Sequence, residues 1–441
     1  MKKIILSIAA VLVSSASFSQ YWGTQNSGFA TVSRGISGLE VFDANTVWAF
    51  AYNGINANAN VQEFTKTSNG GSTWTAGSIN IGNTALKITN ISGVSATTAW
   101  VGAFNNTSGM GGVWKTSDGG ATWTNQKMLS TVGESWTNYV HFFDANNGVV
   151  GGDPEGGRFE IYTTSDGGTT WTRVPAANLP DPLVEEYGYN AGYYSVGNNI
   201  FFYTDKGRIY KSTNKGLNWT ALATNSLIGD FGGTAESGDM AWSDANTGMI
   251  LKRTSTTLNL YRTTDGGATW SPVTFTGISA TNKIADITYI PGTNTLLAVS
   301  SDATNGGSWK SGDNGTTWTA LDTAVQHLGV RCSDVSTCYS GGFNTSATVG
   351  GMYKSLQTLS TKEIGNVEKF ALSIYPNPTK GDINIKTDKK IKATSIVDMS
   401  GKTLNRTDSG KSDISSLPKG TYLLKVDFSD GTSSTEKIIK Q

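Results

Sequence analysis

Six copies of one eight-residue segment run through this chain at nearly constant intervals. They are Thr67-Ser-Asn-Gly-Gly-Ser-Thr-Trp74, Thr116-Ser-Asp-Gly-Gly-Ala-Thr-Trp123, Thr164-Ser-Asp-Gly-Gly-Thr-Thr-Trp171, Ser212-Thr-Asn-Lys-Gly-Leu-Asn-Trp219, Thr263-Thr-Asp-Gly-Gly-Ala-Thr-Trp270 and Ser311-Gly-Asp-Asn-Gly-Thr-Thr-Trp318. Successive tryptophans lie 49, 48, 48, 51 and 48 residues apart. A period of about fifty residues, with several short strands per unit, predicts the blades of a β-propeller. With 53 Gly, 9 Pro and 15% charged residues in 441, the composition suits short strands and many turns.

Each copy has a local explanation. A β-rich run such as Phe159-Glu-Ile-Tyr-Thr163 enters the segment, and another strand leaves after the Trp. The acid or amide at its third position (Asn69, Asp118, Asp166, Asn214, Asp265, Asp313) can cap backbone N–H groups of the turn, and the Gly two residues later accepts positive φ. Trp74, Trp123, Trp171, Trp219, Trp270 and Trp318 then supply apolar wedges between neighbouring sheets. The pattern resembles the Asp-box, or BNR repeat, of sialidases and many other propellers, over about three quarters of the chain. The resemblance implies that this turn joins the two outer strands of a blade, away from the binding face, so its acids are structural. The fourth copy departs from the pattern, with Asn218 where Thr is usual.

A seventh unit is needed. Gly350-Gly-Met-Tyr-Lys-Ser355 aligns with Gly306-Gly-Ser-Trp-Lys-Ser311, yet no box follows it. The missing strand is expected at the other end, where Trp22 of Tyr21-Trp22-Gly-Thr-Gln25 precedes Trp74 by 52 positions. Closure of that kind pairs the two edges that an open ring would expose. Asp43-Ala-Asn45, Asp144-Ala-Asn146 and Asp244-Ala-Asn246 mark the turns between inner strands. In the seventh unit Cys332 and Cys338 flank that turn, which predicts a short disulfide in an exported chain.

The two ends carry addresses. Lys2 and Lys3, the apolar run Ile4 to Val13, and Ser17 and Ser19 form an export peptide, 1–19, cut before Gln20. The run is too short to span a bilayer, so no membrane span is expected in the mature chain. The repeat domain occupies 20–360 and a linker 361–371. Beyond it come Leu372-Ser-Ile-Tyr-Pro-Asn-Pro-Thr-Lys-Gly381, Ile396-Val-Asp-Met-Ser-Gly401, Leu417-Pro-Lys-Gly-Thr-Tyr422, Val426-Asp-Phe-Ser-Asp-Gly431 and Glu436-Lys-Ile-Ile-Lys440. Strands alternating with Gly turns predict a small Ig-like β-sandwich over 372–441. In order and content these motifs resemble the type A sorting domain of the type IX secretion system of Bacteroidota. The resemblance implies passage through the periplasm, recognition by the secretion machinery, and a product released or held at the outer surface. The expected fold class is thus all-β, a seven-bladed propeller followed by a sandwich.

With 34 basic and 34 acidic residues the chain has no global field for nucleic acid or anionic membrane. Two cysteines and two distant histidines, His141 and His327, supply no zinc set, and no metal or other cofactor is expected. Function is sought instead on long loops of the propeller's binding face. Asp153-Pro-Glu-Gly-Gly-Arg158 and the segment Arg173 to Tyr194, which includes Asp181, fall there in adjacent units. Asp153, Glu155, Glu185 and Glu186 are the candidate catalytic acids, because a carboxylate pair can hydrolyse a glycosidic bond. Arg158, Tyr187, Tyr189, Tyr193 and Tyr194 are candidate ligand contacts, since tyrosine faces stack on sugar rings. Glu134, Glu236 and Asp239 are further acids expected on loops of that face.

A sialidase would need an Arg-Ile-Pro motif, which is absent, and three arginines, for which Arg34, Arg158 and Arg331 are the nearest candidates. A polysaccharide lyase would pair His with Tyr, drawing on His141 or His327. The expectation is therefore an extracellular binding module for glycan or protein. A glycoside hydrolase or lyase is the first alternative. An assembly factor is the second, because Asp-box propellers also resemble photosystem-assembly and sorting-receptor folds.

Overall fold

The computed structural model describes residues 21–129, 135–224, 227–279, 282–323, 325–356, 372–398, 403–408, 410–429 and 433–441. The expected export peptide and linker lie outside the described residues, as does Glu134. The chain divides into two compact units, Met1–Thr358 and Leu359–Gln441. Among the described residues every regular element is a strand, apart from the 3-10 turn Ala176–Asn178.

In the larger unit, five sheets are four-stranded antiparallel meanders in chain order. Their first strands are Leu86–Gly93, Thr137–Phe142, Gly188–Val196, Glu236–Trp242 and Ile284–Tyr289. Eight further strands make two more meanders, whose ladders join at the pair Gly35↔Phe343. One begins at Arg34–Val41; the other contains Gly329–Asp334, Thr337–Ser346 and Val349–Ser355. The fourth strand of the latter comes from the far end of the chain. Trp22–Asn26 pairs antiparallel with Val349–Ser355, Trp22 opposite Ser355 and Asn26 opposite Gly351.

The repeated turns explain the regular spacing. In the third box Thr164 Oγ1 donates to Asp166 Oδ1 at 2.8 Å and accepts the Gly168 amide at 3.0 Å. Asp166 also accepts the Thr170 amide at 2.9 Å and its hydroxyl at 2.6 Å. These donors, the Thr170 hydroxyl foremost, hold the Asp166 carboxyl down at about 2. Gly168 sits at φ 89°, a conformation that a Cβ would penalise. In the fourth box Asn214 still accepts the Asn218 amide at 3.0 Å, but Asn218 has no hydroxyl to supply the second bond.

Trp74 and Trp123 reach across to the preceding meander, while Trp171, Trp219 and Trp270 meet Phe142, Phe202 and Trp242 of their own. Trp123 meets Phe64 at 6.0 Å between ring centres, and Trp74 meets Tyr339 at 6.0 Å across the seam between chain ends. Lysines reinforce the same joints: Lys66 donates to the Ala96 carbonyl, Lys115 to Gly167 and Lys354 to Gly70.

The smaller unit has a three-stranded sheet that includes Asp382–Thr387 and a four-stranded sheet that includes Ile391–Val397 and Gly420–Phe428. Ile383, Ile396, Ile414, Leu424, Val426, Phe428 and Ile438 form its core.

Candidate functional site

The strand Gly148–Glu155 turns at Gly156 and Gly157 and returns as Arg158–Thr164. A register shift between Gly152 and Pro154 releases Asp153 from regular pairing. Asp153 Oδ1 accepts Asn138 Nδ2 at 2.7 Å and the Gly188 amide at 2.9 Å. One carboxylate thus ties this hairpin to the segment that enters the next meander. Only 8% exposed, its carboxyl is pushed up to about 6 by burial, against those same hydrogen bonds.

Beside this tie lies a cavity of about 990 Å³. Its walls include Trp136, Asn138, Asp153, Pro154, Pro182, Glu185, Glu186, Tyr187, Tyr189, Asn190, Asp205 and Lys206. Tyr187 is 45% exposed and meets Tyr189 edge-on at 5.6 Å. Its amide donates to Asp205 Oδ1 at 2.8 Å, and Lys206 Nζ lies 2.7 Å from Asp205 Oδ2. The Tyr189 hydroxyl donates to Asp230.

Adjacent acids in this wall have opposite circumstances. Glu185, at φ 55°, is exposed toward the cavity. Glu186 is buried: Oε1 accepts Arg208 Nε at 2.9 Å and Thr204 Oγ1 at 2.7 Å, and Oε2 accepts the Leu183 amide at 2.8 Å and Arg208 Nη2. Burial pushes the Glu186 carboxyl up, but the donors, Arg208 first, outweigh it and hold the group below its ordinary value. Its carboxylate anchors the wall.

The candidate residues therefore divide. Asp153, Glu185, Glu186, Tyr187 and Tyr189 line one cavity. Glu155 and Arg158 do not line it; they face each other at the end of the hairpin, where the Glu155 carbonyl accepts Arg173 Nη2 at 2.8 Å. Tyr193 and Tyr194 line a second cavity of about 340 Å³, where first strands of six meanders converge. Trp136, Asn138, Asn190, Asp205 and Lys206 were not among the sequence candidates. Asp205 and Lys206 occupy the short turn after Thr204, whose length disguised its contribution.

Glu236 and Asp239, expected on loops, lie instead within the strand Glu236–Trp242, paired along its whole length. Glu236 is bound by Lys252. Asp239 faces the second cavity with Glu40, Asp286, Arg253 and Arg331. Arg331 Nη1 donates to Asp286 Oδ2 at 2.6 Å, while burial, with the neighbouring Asp286 charge, pushes the Asp239 carboxyl well up. Burial raises the Glu40 carboxyl to about 7 against the pull of Arg331. Arg34 is taken by Glu63 at 2.7 Å, so Arg34, Arg158 and Arg331 do not converge on one cavity. Both histidines are buried in packing positions; burial pushes His141 down to about 4, and His327 lies between Ser340 and Asp322.

Comparison with known proteins agrees with this architecture. The family described as the secretion system C-terminal sorting domain matches residues 373–441. The family described as photosynthesis system II assembly factor YCF48 matches residues 72–238. Among solved structures, YCF48 bound to D1 peptide is similar at 12% identity and a TM-score of 0.52, over 78% of this chain and 98% of that one. YCF48 from Cyanidioschyzon merolae gives 13% and 0.52, over 76% and 98%. The GH74 enzyme of Niastella koreensis gives 14% and 0.47, over 92% and 66%. No curated protein sequence matches significantly.

The fold and repeats define an all-β, propeller-like protein of the Asp-box (BNR) class. Residues 373–441 are a type IX secretion C-terminal sorting domain, which marks a secreted or cell-surface protein. No helix among the described residues is long and apolar enough to cross a membrane.

Proposed function

We propose that the seven meanders are the blades of a seven-bladed propeller spanning 20–360, closed by the Trp22 strand, and that 372–441 is an Ig-like sandwich of type A. In this reading the export peptide 1–19 is removed, the chain crosses the periplasm, and the mature product acts outside the cell. It is a binding module that takes an extracellular glycan in the cavity beside Asp153.

The observation that carries this reading is the contrast within the cavity wall. The Tyr187 face is open, whereas Asp153, Glu186 and Asp205 are engaged by amides, side-chain donors and cations. Open aromatic faces beside fixed polar groups suit sugar rings. Hydrolysis would need two acids free to exchange protons across a glycosidic bond.

A protein partner is the second reading, favoured by Val184, 88% exposed, and Leu183 on the same segment. An assembly role would use that rim. A glycan array with a reducing-sugar release assay tests the proposal. Binding without release is expected, and Tyr187→Ala should weaken it by about 1 kcal/mol or more while the melting temperature holds. Release of sugar that Asp153→Asn or Glu185→Gln abolishes would establish the hydrolase instead, and retained full binding by Tyr187→Ala would remove the cavity from consideration.

A further inference from the structure

We infer that the cavity discriminates against acidic sugars, so that its ligands are glycans without uronate, sialate or sulfate groups; this rests on the glycan reading above. The argument comes from the cavity's own counter-ions. Of its lining residues Asp153, Glu185, Glu186 and Asp205 are acids, and Lys206 is the only cation.

That cation is already paired with a carboxylate. Lys206 Nζ sits 2.7 Å from Asp205 Oδ2. Arg208, behind the wall, is fixed by both oxygens of Glu186 and by the Asp181 carbonyl at 3.0 Å. The Glu185 carboxylate meanwhile remains at the open surface. An anionic sugar would lose water on entering and meet no cation that is not already paired, while facing Glu185 and Asp153; that placement disfavours it. Hydroxyl groups meet no such obstacle. They can donate to these carboxylates, and their rings can lie on Tyr187.

The test uses the mature secreted protein on an array that carries neutral oligosaccharides beside uronate, sialylated and sulfated ones. Solution titration then compares the best neutral ligand with an acidic oligosaccharide of the same length. The acidic member should bind at least about tenfold more weakly at low salt, a gap that added salt narrows. Glu185→Gln should also narrow the ratio. An acidic glycan that binds as tightly as its neutral counterpart, or a ratio unmoved by both salt and Glu185→Gln, overturns the inference and leaves the glycan reading standing. An array silent toward every glycan, with the protein folded by circular dichroism, overturns the glycan reading itself.

Discussion

Replacing Trp22 tests whether the closing strand holds the larger unit together. Trp22 is 5% exposed, and its indole Nε1 donates to Ser308 Oγ at 2.8 Å, in the neighbouring meander. Its ring packs with Leu297, Val299 and Val330 and meets Tyr21 at 4.9 Å and His327 at 5.4 Å. Trp22→Ala therefore removes a core aromatic from two sheets at once and takes one of the two partners of the Ser308 hydroxyl, which still donates to Asp322. Truncations of this kind cost about 3–5 kcal/mol. With an unfolding entropy of about 2.1 cal/mol/K per residue, a unit of this size should melt roughly 4–7 °C lower. Thr24→Ala, at an exposed position of the same strand, should stay within about 0.5 kcal/mol of the parent. The assay is thermal unfolding followed by circular dichroism and tryptophan fluorescence, with calorimetry to separate the two compact units. Deletion of Tyr21 to Gln25 should go further, because the strand Val349–Ser355 would lose its outer partner and expose an edge. A Trp22→Ala melting point within about 1 °C of the parent would refute closure as a source of stability.

Three further outcomes are expected. Glu40→Gln should stabilise the protein at pH 8 and change little at pH 4: a carboxyl raised to about 7 is disfavoured as an anion in the fold, so its contribution is lost as pH rises from about 4.5 through 7, and the gain should be about 1–2 kcal/mol after allowing for solvent in the cavity. Chemical unfolding at the two pH values reads it, and an equal effect at both would discount the titration. Cys332 and Cys338, bonded in the structure, should make the protein two hydrogens lighter than its reduced form by intact mass, and the double Ser variant should lose about 2 kcal/mol or less because the loop is short; two free thiols in secreted protein would contradict this. Removal of the tail from residue 372 should retain a folded propeller in the periplasm, and undiminished surface display of the truncated chain would show that export does not depend on it.

What could be read from the sequence follows from how local the underlying physics is. The Asp-box is a closed circuit of hydrogen bonds within eight residues, so Thr164, Asp166, Gly168 and Thr170 declare it wherever they recur. Trp22 could be matched to a sheet at the far end of the chain because the same periodicity constrains both partners. The neighbourhood of the two long segments was accessible for a similar reason: loops of successive units fall side by side, and Asp153 meets Gly188. Side-chain direction was not accessible. Glu185 and Glu186 differ by one position, but only the second meets Arg208, twenty-two residues on, and nothing near either acid announces that partner. Tyr189 and Tyr193 share the strand Gly188–Val196, yet the shifted register between Gly188 and Tyr193 sends them to different cavities. The second cavity was harder still. Glu40, Asp239, Asp286 and Arg331 arrive singly from four different strands, so no spacing in the chain records their meeting. Repetition thus reveals a scaffold through its sequence, while a site assembled one residue per strand becomes visible only when the fold brings its members to the same cavity.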